Sequence, residues 1–246
     1  MVNKTVLITG ASKGIGRATA ELFGQHGYSL ILNYNTSEAQ ALELADKLKN
    51  LGCDVLPYKA DVTDREQVEQ MVAAGEKEFG GIDILVSNAG KAEQCLFTDI
   101  TPEQWREMMA VCVDAAYYCC RSVLPHMIRR HQGKIIFISS VWGMVGASCE
   151  VHYSTAKAAL IGMTKSLAKE LGPTNITVNC VAPGVIDTDM NSGLNAQTRK
   201  MLEQETPLGR IGTPLDVANS VLFLASEQAD FITGQVISPN GGLTII

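Results

Sequence analysis

Short apolar runs alternate with amphipathic stretches along the whole chain. Seven runs read as strands: Thr5–Thr9, Ser29–Asn33, Asp54–Tyr58, Ile82–Ser87, Lys134–Ser139, Thr177–Val181 and Gln235–Ser238. Several are continuously apolar, such as Ile135-Ile136-Phe137-Ile138, which suits a parallel strand covered on both faces. Between them, apolar residues recur at helical spacing. Val68, Met71, Val72 and Phe79 form one core-facing stripe, and Leu44, Leu48 and Leu51 another. Two long helical patterns run from Trp105 to Met127 and from His152 to Leu171. Strand–helix alternation over 1–246 predicts one α/β domain, a doubly wound parallel sheet of about seven strands with helices on both faces. The segment 187–210 is the least regular. It carries Asn191, Ser192, Gly193 and Asn195, then a short helical pattern at Ala196–Glu205, and it reads as a substrate lid after the sixth strand.

Composition narrows the functional classes. The chain has 246 residues, 46% of them hydrophobic, enough for a substantial core and too apolar for disorder. A net charge of −6 without any Lys/Arg run argues against a nucleic-acid surface. Seven cysteines lack metal-ligand spacing, and Cys119-Cys120 sits within a helix. This predicts reduced thiols in a cytoplasm and no metal. The first strand starts at Thr5, which leaves no room for a targeting segment. No apolar run approaches the roughly 20 residues of a membrane span.

The first strand ends in Thr9-Gly10-Ala11-Ser12-Lys13-Gly14-Ile15-Gly16. Glycines at 10, 14 and 16 permit a tight turn and close approach of a pyrophosphate. A helix from near Ile15 offers its N–H groups to the phosphates, as in a Rossmann-type dinucleotide site. The second strand ends in Asn33-Tyr34-Asn35-Thr36-Ser37, without the carboxylate that would accept from a ribose 2′-hydroxyl. Lys13 is placed to reach a 2′-phosphate, with Asn33 and Asn35 as neutral donors, so NADP(H) is expected over NAD(H). Asp61-Val62 after the third strand would edge the adenine. Asn88-Ala89-Gly90 after the fourth would pass close to the ligand, with Asn88 tying the central strands together.

Tyr153 and Lys157, four apart on one helix, lie on the same face. An ammonium beside a phenol favours the phenolate and is expected to lower its pKa from about 10. Such a phenol can pass a proton. Ser140, at the end of the fifth strand, can fold back to place its hydroxyl beside it, and the two together can polarise a carbonyl. His152 points about 100° away from Tyr153 and reads as non-catalytic.

Together these motifs resemble the short-chain dehydrogenase/reductase family: Thr9–Gly16, Asp61, Asn88-Ala89-Gly90, Ser140, Tyr153, Lys157, Val178–Gly184 with Thr188, and Asn240-Gly241-Gly242. The resemblance covers the whole chain. It implies Tyr153 as general acid, Lys157 holding the nicotinamide ribose, Ser140 on the substrate oxygen, and Pro183, Gly184, Ile186 and Thr188 beside the nicotinamide. It also implies a homotetramer with D2 symmetry, pairing the two long helices across two-fold axes. The segments Ile161–Leu171 and Ile186–Met190 are similar to 3-oxoacyl-[acyl-carrier-protein] reductases, which implies a 3-oxoacyl thioester substrate on acyl carrier protein. Three departures qualify this. Cys112 stands where the family has an asparagine that helps hold a water of a proton relay. His131 and Thr174-Asn175 stand where carrier-protein reductases tend to have arginines at the mouth, with Arg129 and Arg130 close enough to substitute. The approach Ser139–Tyr153 resembles a subgroup that reduces an amino-ketone on a lysine of elongation factor P. There Glu150 would pair with a substrate ammonium and Trp142 would form an apolar wall. Alternatively, Glu150 is a helix N-terminal carboxylate stabilised by the dipole. A small free ketone is a third substrate, and a non-catalytic NADP-binding scaffold or sensor is the rival from outside enzymology.

Overall fold

The computed structural model of the protein describes residues 4–191, 193 and 195–245. Seven parallel strands stand in the order β3-β2-β1-β4-β5-β6-β7. They are β1 Thr5–Ile8, β2 Ser29–Tyr34, β3 Val55–Lys59, β4 Ile84–Ser87, β5 Gly133–Ile138, β6 Ile176–Val181 and β7 Val236–Ile237. All seven fall where the apolar runs predict. The helices are α1 Gly14–Gln25, α2 Glu38–Asn50, α3 Arg65–Phe79, α4 Pro102–Met109, α5 Ala115–Arg130, α6 Trp142–Val145, α7 Val151–Leu171, α8 Ala196–Glu205 and α9 Pro214–Ala225.

Strand alternation divides the core into two layers. Val6 and Ile8 of β1, with Leu30 and Leu32 of β2, meet Phe23, Leu44, Leu48 and Val221 of α1, α2 and α9. Leu7, Ile31, Ile135 and Phe137 point the other way, onto Val68, Met71, Val123 and Leu160 of α3, α5 and α7. Burial on both faces explains why these strands read as continuous apolar runs.

Three expectations change. Leu51 is 63% exposed, because α2 ends at Asn50 and Leu51 turns out of the stripe that Leu44 and Leu48 bury. The pattern from Trp105 to Met127 is interrupted by a single π-helical turn, Ala110–Asp114, between α4 and α5. Thr9 and Ser139 close the predicted first and fifth strands but lie just past the regular ladder, with the Thr9 side chain committed to the loop after β4 and that of Ser139 to α7. Thr9 Oγ1 accepts from the backbone of Asn88 and Ala89, and Ser139 Oγ donates to Lys157 O at 2.8 Å. The order reverses between β1 and β4. Their carboxyl ends therefore open a crevice at the point where such sheets bind ligands.

Candidate active site

The glycine turn and the loop after β4 are built as one unit. Asn88 Nδ2 donates to Thr9 O (2.9 Å) and Gly10 O (3.2 Å), so Asn88 ties the two central strands together. Gly10 adopts φ 62° and Gly14 φ 56°, a left-handed backbone that suits glycine. A Cβ on Gly16 would collide with Gly10 O and lie 2.7 Å from Asn88 Nδ2. The helix therefore starts hard against the turn. Its N-cap is Lys13, without a side-chain capping bond and without an acidic residue in the first turn. The leading N–H groups of α1 are thus left for an anion, and the turn fits a dinucleotide pyrophosphate.

Beside this turn lies a cleft of about 320 Å³. Gly10, Ser12, Lys13, Gly14 and Ile15 line it from the turn, and Asn33 and Asn35 from the end of β2. Asp61 and Val62 line it after β3, Asn88, Ala89 and Gly90 after β4, and Thr188 from the loop after β6. Gly16, Pro183, Gly184 and Ile186 stand behind this surface. Pro183 O accepts from Val141 N, Gly184 packs on Asn240, and Ile186 bridges Gly212. Val111, Asp189 and Met190 also line the cleft. Sequence reading missed them, and adjacency to Cys112 and Thr188 was their only signal. A larger cavity of about 660 Å³ lies by Lys4, Tyr28 and Phe223. It lies at the amino-terminal side of the sheet and brings none of the candidate catalytic groups together.

At the 2′ end, the β2 side of the lining runs from Asn33 to Ser37 and carries no carboxylate. Lys13 is 57% exposed, with Nζ 4.0 Å from Asp189 Oδ2. Asn33 differs from expectation. Its Oδ1 accepts from Gly10 N at 3.2 Å, and its Nδ2 donates to Ala60 O at 3.0 Å. The amide is buried and committed to fixing the turn, so it is not a free donor for phosphate. Asp61 Oδ1 is likewise engaged by the N–H and hydroxyl of Thr63 (2.9 and 2.7 Å).

The catalytic candidates converge at the end of β5. Lys157 is 4% exposed, and its Nζ donates to Ile138 O at 2.8 Å. That ammonium lies 5.7 Å from the Tyr153 ring centroid. Ser140 Oγ accepts from Trp142 N at 3.2 Å, which leaves its proton to donate, and its hydroxyl acts on the nearby phenol in favour of the phenolate. Gly143 presses on the backbone of α7, where a Cβ would come 2.7 Å from the Lys157 carbonyl carbon. That contact, with Ser139 on Lys157 O, locks α7 to the strand end.

The phenol is not lowered as the spacing predicts. Burial pushes Tyr153 above its ordinary value, outweighing the opposing pull of Lys157 and the Ser140 hydrogen bond; Cys112 and Glu150 push the same way as burial. Tyr153 is 8% exposed, and desolvation disfavours its phenolate. The group holds its proton at neutral pH, which suits an acid.

Cys112, in the π turn, is 2% exposed and packs with Met108, Tyr153 and Ala156, with Trp142 against the same cluster. Its Sγ lies 3.9 Å from Lys91 O. A Cβ on Gly90 would sit 3.2 Å from Lys157 Nζ and 3.7 Å from Cys112 Sγ, so the thiol borders the lysine. Glu150 is the N-cap of α7 but makes no capping bond; it accepts from Gln94 Nε2 at 3.1 Å. Nearby, Lys91 Nζ meets Glu93 (3.3 Å) and Glu107 (3.0 Å). His152 is fully buried, with neither ring nitrogen partnered within the protein. Arg130 departs from expectation. It pairs with Asp83 at 2.9 Å, at the amino end of the sheet, because α5 runs back to where β5 starts. Arg129 and His131 share that end, away from the Ser140 mouth of their own subunit. In the expected lid, Ser192 and Leu194 lie outside the described residues. Arg199 of α8 forks onto Asp187 (3.0 and 2.8 Å).

A dinucleotide cleft whose lining reaches Gly90, beside the Lys157 ammonium, together with a phenol and a serine hydroxyl at the end of β5, defines a nicotinamide-dependent oxidoreductase. The family model described as enoyl-(acyl carrier protein) reductase matches residues 10–244. The chain is 41% identical over 242 residues to the "uncharacterized oxidoreductase YmfI" of Bacillus subtilis, covering 98% of this chain and 99% of that one. It is 39% identical over 246 residues to the 3-oxoacyl-[acyl-carrier-protein] reductase FabG of Chlamydia muridarum, covering 99% and 98%. A solved short-chain dehydrogenase/reductase from Brucella melitensis superposes with a TM-score of 0.93 at 34% identity, covering 99% and 98%. The chain belongs to the short-chain dehydrogenase/reductase family.

Proposed function

We propose that this protein is a cytoplasmic NADPH-dependent ketone reductase. The observation that carries this is the convergence of Tyr153, Ser140 and Lys157 at the end of β5, with the buried Lys157 ammonium 5.7 Å from the Tyr153 ring centroid. The bound cofactor supplies the hydride. Ser140 Oγ and Tyr153 Oη hold the carbonyl oxygen between them. Tyr153 passes its proton to that oxygen as negative charge develops there. Lys157 stabilises the phenolate that remains, and its bond to Ile138 O fixes the ammonium in place. The absence of a carboxylate from Asn33 to Ser37 at the end of β2, with Lys13 in the same cleft, supports NADPH over NADH.

The substrate class we favour is a 3-oxoacyl thioester carried on acyl carrier protein, on the strength of the FabG relatives. A second reading rests on the mouth. Glu150 acts on Tyr153, and Glu93 and Glu107 lie near, while Arg130 is held at the far end of the sheet. Such a mouth suits an amine-bearing ketone, such as an adduct on a lysine of elongation factor P, better than an acidic carrier. The segment 187–210 serves as lid over either substrate, and α5 and α7 form the two-fold contacts of a homotetramer.

The test is NADPH oxidation on adding a short 3-oxoacyl thioester and, separately, a 5-amino-2-ketone. Turnover of one ketone that Tyr153→Phe reduces ~10²–10⁴-fold, with NADPH bound more tightly than NADH, is expected. Turnover undiminished in Tyr153→Phe, or a tighter dissociation constant for NADH, would contradict the proposal.

A further inference from the structure

Seven cysteines are free in the fold; five are accounted for by burial or by a bond to the backbone, and Cys95 and Cys149 are left. Cys112, Cys119, Cys120 and Cys180 are buried, and Cys53 donates to Gly24 O. Cys95 and Cys149 are half-exposed and meet although 54 residues apart in sequence. Cys95 N donates to Cys149 O at 2.7 Å. That single bond holds the two residues side by side, and each thiol lies within electrostatic reach of the other; a disulfide needs their Cα atoms about 4.4–6.8 Å apart. The neighbouring residues are joined as well, by Gln94 Nε2 and Glu150 Oε1. Cys149 is held at φ 61°, a left-handed conformation unusual for a residue with a side chain. Ala147 N donates to Ser154 Oγ at 3.2 Å, which hangs its loop on α7.

We propose that Cys95 and Cys149 form a reversible disulfide that clasps the loop after β4 to the loop before α7 at the mouth of the active site. The oxidant is hydrogen peroxide. One thiolate attacks the peroxide, its O–O bond breaks, and a sulfenic acid forms with release of hydroxide. The second thiolate attacks that sulfur, the S–O bond breaks, and a second hydroxide leaves. Two thiol protons convert the two hydroxides to water, and two electrons pass from sulfur to peroxide. Thiol–disulfide exchange with a small dithiol restores the open mouth. Tyr153 lies four residues beyond Cys149, and Glu150 and Gln94 are the adjoining residues, so the bond stiffens the substrate side. The lining of the dinucleotide cleft includes neither cysteine nor any residue of the loop before α7, which puts the clasp on the substrate side. The effect on turnover rests on the ketone-reductase reading; formation of the bond does not.

The full-length protein is treated with hydrogen peroxide, alkylated under denaturing conditions and digested for mass spectrometry. A cross-linked Cys95–Cys149 peptide that dithiothreitol removes is expected. So are a several-fold rise in ketone KM in the oxidised protein, an unchanged NADPH dissociation constant, and loss of the KM response in Cys95→Ser and Cys149→Ser. Oxidation of either thiol without that cross-link would overturn the clasp, as would a cross-linked protein with unchanged KM and kcat. If the reduced protein reduces no ketone, the functional reading fails separately. The clasp is then judged by limited proteolysis, where slower cutting at residues 91–100 in the oxidised protein supports it and unchanged cutting refutes it.

Discussion

Tyr153 shows how two opposing effects set one group. The i, i+4 lysine contributes an ammonium that favours the phenolate, and the sequence displays that lysine openly. Burial favours the neutral phenol and wins, and burial depends on what α4, α6 and the π turn bring over the ring. Cys112 belongs to that cover. Its thiol is a poor hydrogen-bonding partner, and it borders both Tyr153 and Lys157. In Cys112→Asn an amide beside Lys91 O and the lysine gives the proton path an additional donor and acceptor. Turnover is expected to rise severalfold, with a shifted pH profile of kcat. Unchanged turnover and an unchanged profile would show that the proton travels elsewhere.

At the scale of elements, the turn after β1 is held from outside itself. Asn33, one residue before the end of β2, has its amide joining Gly10 to Ala60, so the phosphate turn, β2 and the segment after β3 share one buried side chain. Replacing it by the similarly sized leucine leaves Gly10 N and Ala60 O without these partners. Asn33→Leu is expected to cost about 2 kcal/mol in urea unfolding and to weaken NADPH binding together with stability. Equal binding to the wild-type protein would mean that the turn is rigid without Asn33. The sequence marks Asn33 by position, as the residue where a carboxylate is absent. Its inward bonding is fixed by the 33↔58 register of β2 on β3, which carries it under the turn. The π turn was also hidden, because a single wide turn leaves the apolar period of α4 and α5 nearly intact.

For the whole molecule, buried thiols couple stability to alkaline pH. Burial pushes Cys119 up to about 12 and Cys180 to about 11, from an ordinary value of 9.0. Folded pKa values above unfolded ones mean stability is fully present below about pH 9 and is lost as pH rises toward the folded values. Each thiol is expected to contribute a loss of roughly 1 kcal/mol by about pH 10. Urea midpoints at about pH 8 and about pH 10 measure this, and Cys119→Ala/Cys180→Ala should flatten the slope. An equal slope in that variant would assign the alkaline loss to other groups. Assembly is tested by light scattering: a mass near four subunits is expected for the tetramer, and a mass near one would refute it.

The sequence by itself determined the seven strands and their parallel winding, and it marked the candidate site residues. Strand periodicity, glycine spacing and the Tyr153–Lys157 interval are local properties, and local backbone geometry turns them directly into structure. No helix among the described residues is long and apolar enough to cross a membrane, in keeping with the short apolar runs. Only the tertiary structure decided that the phenol is raised, that Asn33 faces inward, that Arg130 lies at the far end of the sheet and that Cys95 meets Cys149. Each depends on packing between segments distant in sequence. Desolvation, register and loop approach are set by which elements meet, and a one-dimensional pattern does not contain those distances.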